Sequence, residues 1–487
     1  MGKTFNLIDE PFIPCRTKSG ETRLWNLRDA LLQSHDIVEI ADASPLTTFA
    51  LYRFLLVIVH RCLDASNWQT IWDAGRLPEE RIEEYIAKYR NRFDLFDAER
   101  PFLQKSGELD LKSPMYLFAE LPTASNINHA RHTYDDVAML CPSCSAAGLL
   151  RVSVFSTKGG RGYSPSINGK PPAYLLPLGE NLFATLLLNW PLADPVNGDK
   201  PVWESHESVS ETHIGLLEAF TRQARSVRLI PSIGNDEKCC LCGGVSATMI
   251  RQIGFESGAN LKDKRIADWR DPHVIYREEL STNKPKPPSK LSATKDPVNS
   301  NGNFVGFWRQ FVTLLLSKTT ELQAVQNRAF ETTRLKRPAN SSSVFAILTS
   351  TEDMKWSHDE SDFWKIPPLD DAVRLSLLAE LEWIDANLDR WAKQRANGKK
   401  NKQQGSAMGL QPDFVSLAEF ERRAEGHFRR LLAGTIETTK FRQCIQNDVI
   451  ELTRPVPRPQ RPLESLRLKR ESEKAVKAAF PISEVAS

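Results

Sequence analysis

Along the first thirty residues apolar and polar positions alternate in short runs. Phe5-Asn-Leu-Ile-Asp9 through Trp25-Asn-Leu27 is the pattern of short strands and turns. At Ser44-Pro45 a capping serine precedes a proline at the first helical position, which predicts a helix to about Cys62. Its run Phe54-Leu-Leu-Val-Ile-Val-His60, flanked by Arg53 and Arg61, is far short of a membrane span, so a buried helix is expected. A second, amphipathic helix is predicted over Glu79 to Phe93. From there to about Pro201 proline and glycine interrupt the chain and no period emerges, which marks functional loops or unread strands. Asn283 to Asn303 combines prolines with lysines and predicts an unpacked segment. Phe304, Phe307, Trp308, Phe311 and Leu315 then recur at helical spacing, a core stripe. A strand follows over Val344 to Leu348, with a polar hairpin at Thr349 to Trp356.

Past Pro367-Pro368 the texture becomes helical. Val373, Leu377, Leu381, Ile384, Leu388 and Trp391 make one apolar face, and the polar run Asn397 to Gly405 ends that helix. Ser416-Leu-Ala-Glu419 reads as a capping box opening a helix with Phe420, Ala424, Phe428 and Leu431 inward. Two more helices are predicted, about Lys440 to Leu452 and Leu463 to Phe480. The expected fold class is α+β: a mixed α/β domain over 1–366, then a four-helix bundle over 367–487.

A length of 487 residues agrees, since it exceeds what one hydrophobic core serves. The formal net charge of +3 says little about partners, but the C-terminal part is mildly basic and hints at an acidic neighbour. No secretory signal follows Met1, so a cytoplasmic protein with reduced thiols and no membrane association is expected.

That setting changes the meaning of the eight cysteines. Cys141-Pro-Ser-Cys144 and Cys239-Cys-Leu-Cys242 each have the spacing at which two thiolates grip one tetrahedral ion, and Gly243-Gly244 gives the second pair room to turn. A structural zinc between the pairs is expected, with Cys240 a buried free thiol. Four thiolates leave no coordination position for a reacting water, so the protein is expected not to be an enzyme. Phosphate-loop, zincin and serine-hydrolase signatures are absent. The alternative is a zinc-containing nuclease with an unrecognised site, for which His129, His132, Asp135 and Asp136 are the best residues.

Two basic loops change the picture again. In Lys158-Gly159-Gly160-Arg161-Gly162 three glycines in four residues let a backbone approach a partner closely, while lysine and arginine supply phosphate affinity. Lys262-Asp-Lys264-Arg265 lies about twenty residues past the second cysteine pair.

Taken in order, these features resemble the large subunit of the type I-E CRISPR surveillance complex Cascade, the CasA family. Phe5-Asn-Leu-Ile-Asp-Glu-Pro-Phe-Ile-Pro14 is similar to that family's opening, and the cysteine pairs, glycine loop, hairpin and terminal helices follow in the family's sequence. The resemblance implies a non-catalytic reader of double-stranded DNA. It would recognise the target-adjacent motif (PAM), help open the duplex, and recruit a separate helicase–nuclease. CRISPR RNA and the backbone and small subunits of the complex are the implied partners. Lys158 to Gly162 would approach the minor groove, joined by Lys262 or Lys264. Met354 and Lys355 would form the wedge, where the family has a glutamine. Asn126, Asn128, His129, Arg131 and His132 would face the guide-bearing end of the complex. The zinc would then fix the roots of the two DNA-facing loops relative to each other.

Overall fold

The structure is a computed structural model. It describes residues 4–107, 109–118, 138–156, 163–169, 172, 174–190, 198–205, 212–234, 237–259, 261–274, 276–277, 289–290, 309, 312–313, 316, 344–349, 361–366, 369, 371–400, 414–453 and 462–482. The chain divides into two compact units, Met1–Lys295 with Gln323–Pro368, and Asp296–Leu322 with Leu369–Ser487.

The first unit opens with β1 (Ile13–Thr17) between β2 (Thr22–Trp25) and β3 (Ile37–Ile40), an antiparallel sheet. Helix α1 (Leu27–Leu32) interrupts it, capped by the Asn26 side chain. Helix α2 (Pro45–Cys62) begins where serine and proline predict and is buried along nearly its whole length. Among the described residues no single helix is long and apolar enough to cross a membrane. After α3 (Trp68–Ala74), helix α4 (Glu79–Tyr89) stops short of Phe93, because Arg90–Arg92 tightens into a 3-10 turn.

Inside the stretch where sequence gave no period lies α5 (Pro142–Phe155), packed against α2. It is buried on all sides, so it has no polar stripe to generate a period. Gly148 matters here: a side chain would put its Cβ 2.8 Å from the Leu117 Cβ. The remaining elements that shape the site are β4 (Leu111–Lys112), β5 (Tyr174–Pro177), α6 (Leu182–Leu188), α7 (Leu216–Thr221), β6 (Arg225–Ile233) and β7 (Thr248–Ser257). Strands β6 and β7 form a long hairpin in register from Arg225↔Ser257 to Ile233↔Thr248, with a bulge at Ile230/Pro231 and β4 on the outer edge of β7.

Tyr276–Arg277 (β8) pairs with Ser289–Lys290 (β9), so the segment expected to be unpacked contributes a short strand. Strand β10 (Val344–Thr349) lies between β5 and β11 (Ser361–Ile366), which confirms the predicted strand.

Beneath α2 a buried polar network crosses the core. The Arg53 guanidinium donates to Asp271 at 2.7 Å and lies 3.6 Å over the Phe220 ring. Asn168 donates to the same carboxylate at 2.6 Å and accepts from Trp269. Burial pushes the neighbouring His273 down to about 3, so it stays neutral.

The second unit contains the helices Asp371–Lys400, Phe414–Leu432, Thr438–Leu452 and Pro462–Ala479. Leu381, Ile384, Phe420, Phe428, Phe441, Ile445 and Phe480 are buried in it. Its polar ties include a bidentate Arg442–Glu380 pair and a Gln446 hydrogen bond to the Phe480 carbonyl. Val373, expected inward, is 44% exposed. The first helix runs on through Asn397 to Lys400, and the second starts two residues before Ser416. Glu419 accepts from Arg422 and Arg423, so its carboxylate serves ion pairs rather than a capping box. The segment Asp296–Leu322 belongs to this unit, whereas the sequence boundary left it in the first domain. Arg309 explains its place, buried against Glu421 and Asp385. The predicted aromatic residues Phe304, Phe307, Trp308, Phe311 and Leu315 lie outside the described residues.

Candidate metal and nucleic-acid site

The four cysteines converge. Cys141 caps α5, with Pro142 in the first turn, and its Sγ accepts from the Cys144 amide at 3.4 Å. The second pair sits in the turn that closes the β6–β7 hairpin. Gly243 adopts φ +71°, a conformation that side chains resist, and its amide bonds to the Cys239 carbonyl at 2.9 Å. Backbone hydrogen bonds then bring the pairs together: Leu140 and Ile250 exchange bonds of 2.9 and 2.8 Å, and the Cys240 amide reaches the Met139 carbonyl at 3.0 Å.

The result is four sulfur atoms within 4.8 Å of one another, the only such cluster of metal-binding side chains among the described residues. A tetrahedron of thiolates with bonds near 2.3 Å has edges of ~3.8 Å. Cys141 and Cys242 lie 3.7 Å apart, so the donor set can hold one ion. Hydrogen bonds from Cys141 and Cys144 hold Cys239 far below the usual thiol range, and those with Cys141 and Cys239 push Cys144 far above it.

Cys240 corrects an expectation. It is exposed, with its Sγ 3.8 Å from the Met115 sulfur, because the turn that directs Cys239 and Cys242 toward the other cysteine pair leaves Cys240 outside the four-sulfur cluster.

The flanks of the glycine loop and the Lys262–Lys264 segment lie near each other, at the end of α5 away from the cysteines. Residues 158–162, hence Lys158, Gly159, Gly160, Arg161 and Gly162, lie outside the described residues; their flanks do not. Ser166 donates to the Ser156 carbonyl at 2.9 Å, closing the base of that loop. Tyr163 stacks on Phe255 at 5.9 Å, beneath the Arg225 guanidinium at 4.9 Å. Directly after β7, Leu261 reaches Gly169 beside this base. Lys262 and Lys264 are both exposed, while Arg265 is tied down by Glu218 and Asp263. Arg222 binds Asp263 at 2.7 Å, and these arginines, Arg265 foremost, hold its carboxyl well below the usual range.

The cysteine cluster lies at the far end of this frame. Helix α5, 14 residues long, separates Cys141 from Ser156 by about 21 Å. The loop roots are therefore fixed by Ser156–Ser166, Tyr163–Phe255 and Arg222–Asp263 rather than by the cysteines. A metal would act on them only by clamping α5 to the hairpin. The predicted residues Asn126, Asn128, His129, Arg131, His132, Asp135, Asp136, Met354 and Lys355 lie outside the described residues. Sequence reasoning gave no role to Tyr163, Arg225 or Asp263, because their partners Phe255, Tyr163 and Arg222 lie 41 or more residues away along the chain.

With this geometry in hand, comparison with known proteins is specific. The sequence matches the family described as CRISPR-associated protein Cse1 (CRISPR_cse1) over residues 6–454. It is 34% identical over 308 residues to a CRISPR-associated protein CasA/Cse1 of Thermus thermophilus. That alignment covers 57% of this chain and 56% of the relative, so it spans about half of the relative's length. By fold, Thermobifida fusca Cse1 superposes with a TM-score of 0.66 at 19% identity, covering 98% of each chain. A chain of a CRISPR RNA-guided surveillance complex superposes with a TM-score of 0.63 at 17% identity, covering 97% of this chain and 99% of that one. This chain belongs to the Cse1 family of CRISPR-associated proteins.

Proposed function

We propose that this chain is the subunit of a CRISPR RNA-guided surveillance complex that recognises the target-adjacent motif in double-stranded DNA. It helps open the duplex and presents a surface to a separate helicase–nuclease. It performs no chemistry itself: one structural zinc in the closed thiolate set braces α5 against the β6–β7 hairpin. The four C-terminal helices form a bundle that contacts other subunits of the complex.

One observation carries this reading. The base of the glycine loop and the Lys262–Lys264 segment meet at one end of a rigid helix–hairpin frame, held by Tyr163, Arg225 and Asp263. A glycine backbone with two exposed lysines suits the minor groove, whose donor and acceptor pattern is degenerate. Such a reader accepts several related motifs rather than one.

Gly160→Asp should test the loop. A carboxylate set against a phosphate-lined groove costs several kcal/mol, so motif-dependent binding by the assembled complex should fall about 100-fold. Binding at the parental level would remove the loop from the interface. Lys262→Gln and Lys264→Gln should each lower the salt slope by about one unit where the lysine meets a phosphate.

A further inference from the structure

Beside the Lys262–Lys264 segment the first unit carries a groove of about 990 Å³. Its walls include the loop Glu99 to Ser106, the first residues of β6 (Arg225 to Val227), and the end of β7 with the two residues after it, Ser257 to Ala259. Ala259 lies three residues before Lys262, a separation of at most about 10 Å. The groove thus opens onto the same end of the frame as the glycine-loop base.

The charge of its walls is uneven. Arg92, Arg100 and Lys105 line it, the last two exposed on the Glu99–Ser106 loop. Three of its four carboxylates are already engaged by arginines: Glu204 by Arg61, Glu218 by Arg265, and Asp263 by Arg222 and Arg265. Only Glu99 is left to offset the exposed cations. The aromatic residues of the lining, Phe102 and Trp203, are 1% and 6% exposed and so offer no face for a base to stack on. A groove with cations and no stacking platform suits a repeating phosphate rather than a base.

We propose that this groove is a phosphodiester track, in which Arg100 and Lys105 hold the sugar-phosphate backbone of the DNA running on from the motif. The inference rests on the motif-reading function proposed above and extends it to sequence-independent contacts. The occupant is a duplex or a separated single strand, whose shared chemistry is the phosphodiester.

The test uses the complex assembled with its guide RNA and companion subunits, carrying Arg100→Gln and Lys105→Gln together. Both side chains are exposed, and an unchanged melting profile confirms the fold. Binding is measured between 50 and 200 mM salt for a target duplex with the motif, one without it, and a single strand. Each lost duplex contact should flatten the salt slope by about 0.9 unit, or about 0.7 for a single strand. For a duplex, the parental complex should therefore lose about tenfold more affinity across that salt range than the variant. The effect should be equal with and without the motif, and the probe whose slope changes identifies the occupant. Unchanged slopes on all three probes overturn the track. If motif preference then survives, the motif-reading function stands and only the groove assignment falls. A parental complex that shows no motif preference overturns that function instead.

Discussion

Cys239→Ser should release the metal from the cysteine cluster and loosen the first unit of the protein. Metal analysis of the parental chain should find about one zinc, as a closed four-thiolate site requires. The Cys239 variant should carry nearly none. Structural zinc contributes on the order of 10–16 kcal/mol in small zinc-binding peptides, so losing even a quarter of that removes about 2.5–4 kcal/mol. Cys240→Ser is the matched control. Its sulfur faces Met115, outside the cluster, so the variant should keep its zinc and its melting profile. Retention of one zinc by Cys239→Ser would contradict the four-sulfur assignment. Because Leu140 and Ile250 already pair through the backbone, the two cysteine pairs should stay roughly apposed after metal loss. The expected defect is therefore a slackened clamp between α5 and the hairpin rather than wholesale unfolding.

Asp271→Leu should have a comparable cost for a different reason. The carboxylate is fully buried, and although burial raises its pKa, the Arg53 guanidinium and the Asn168 hydrogen bond bring it below the usual range. Removing it leaves the Arg53 charge buried beside Phe220, and breaking a buried pair in this way costs about 3–5 kcal/mol. Thermal unfolding of the intact chain reads the loss. Adding Arg53→Met should recover much of the stability, because it removes the stranded charge and replaces it with an apolar side chain. A double variant no more stable than Asp271→Leu alone would mean that Asn168 and Trp269, not the ion pair, account for the effect.

Features whose signals are local were legible in the sequence. Ser44 and Pro45 mark the start of α2 because they act within one turn, and each cysteine pair shows itself by two-residue spacing. The C-terminal helices were visible because each keeps a solvent face and hence a period; the ends of the last two differ by one or two residues, where caps fray, whereas the first runs on through Asn397 to Lys400 and the second starts before Ser416. Helix α5 had no such period, although Cys141-Pro142 marks its start as clearly as Ser44-Pro45 marks that of α2. The Arg53–Asp271 contact spans 218 residues, and nothing near either residue announces the other. For the same reason the cysteine cluster was foreseen as a set while its place was not. Sequence put it near the glycine loop by residue number, but a buried helix carries the chain about 21 Å away before the loop begins.

The most direct measurement of the central claim compares complexes assembled with and without this chain on targets flanked by a library of short motifs. With the chain present, binding of a matched target should depend steeply on the flanking motif, with several related motifs accepted. Without it, the remaining complex should bind weakly and show no motif preference. The same motif preference in a complex that lacks this chain would contradict the account.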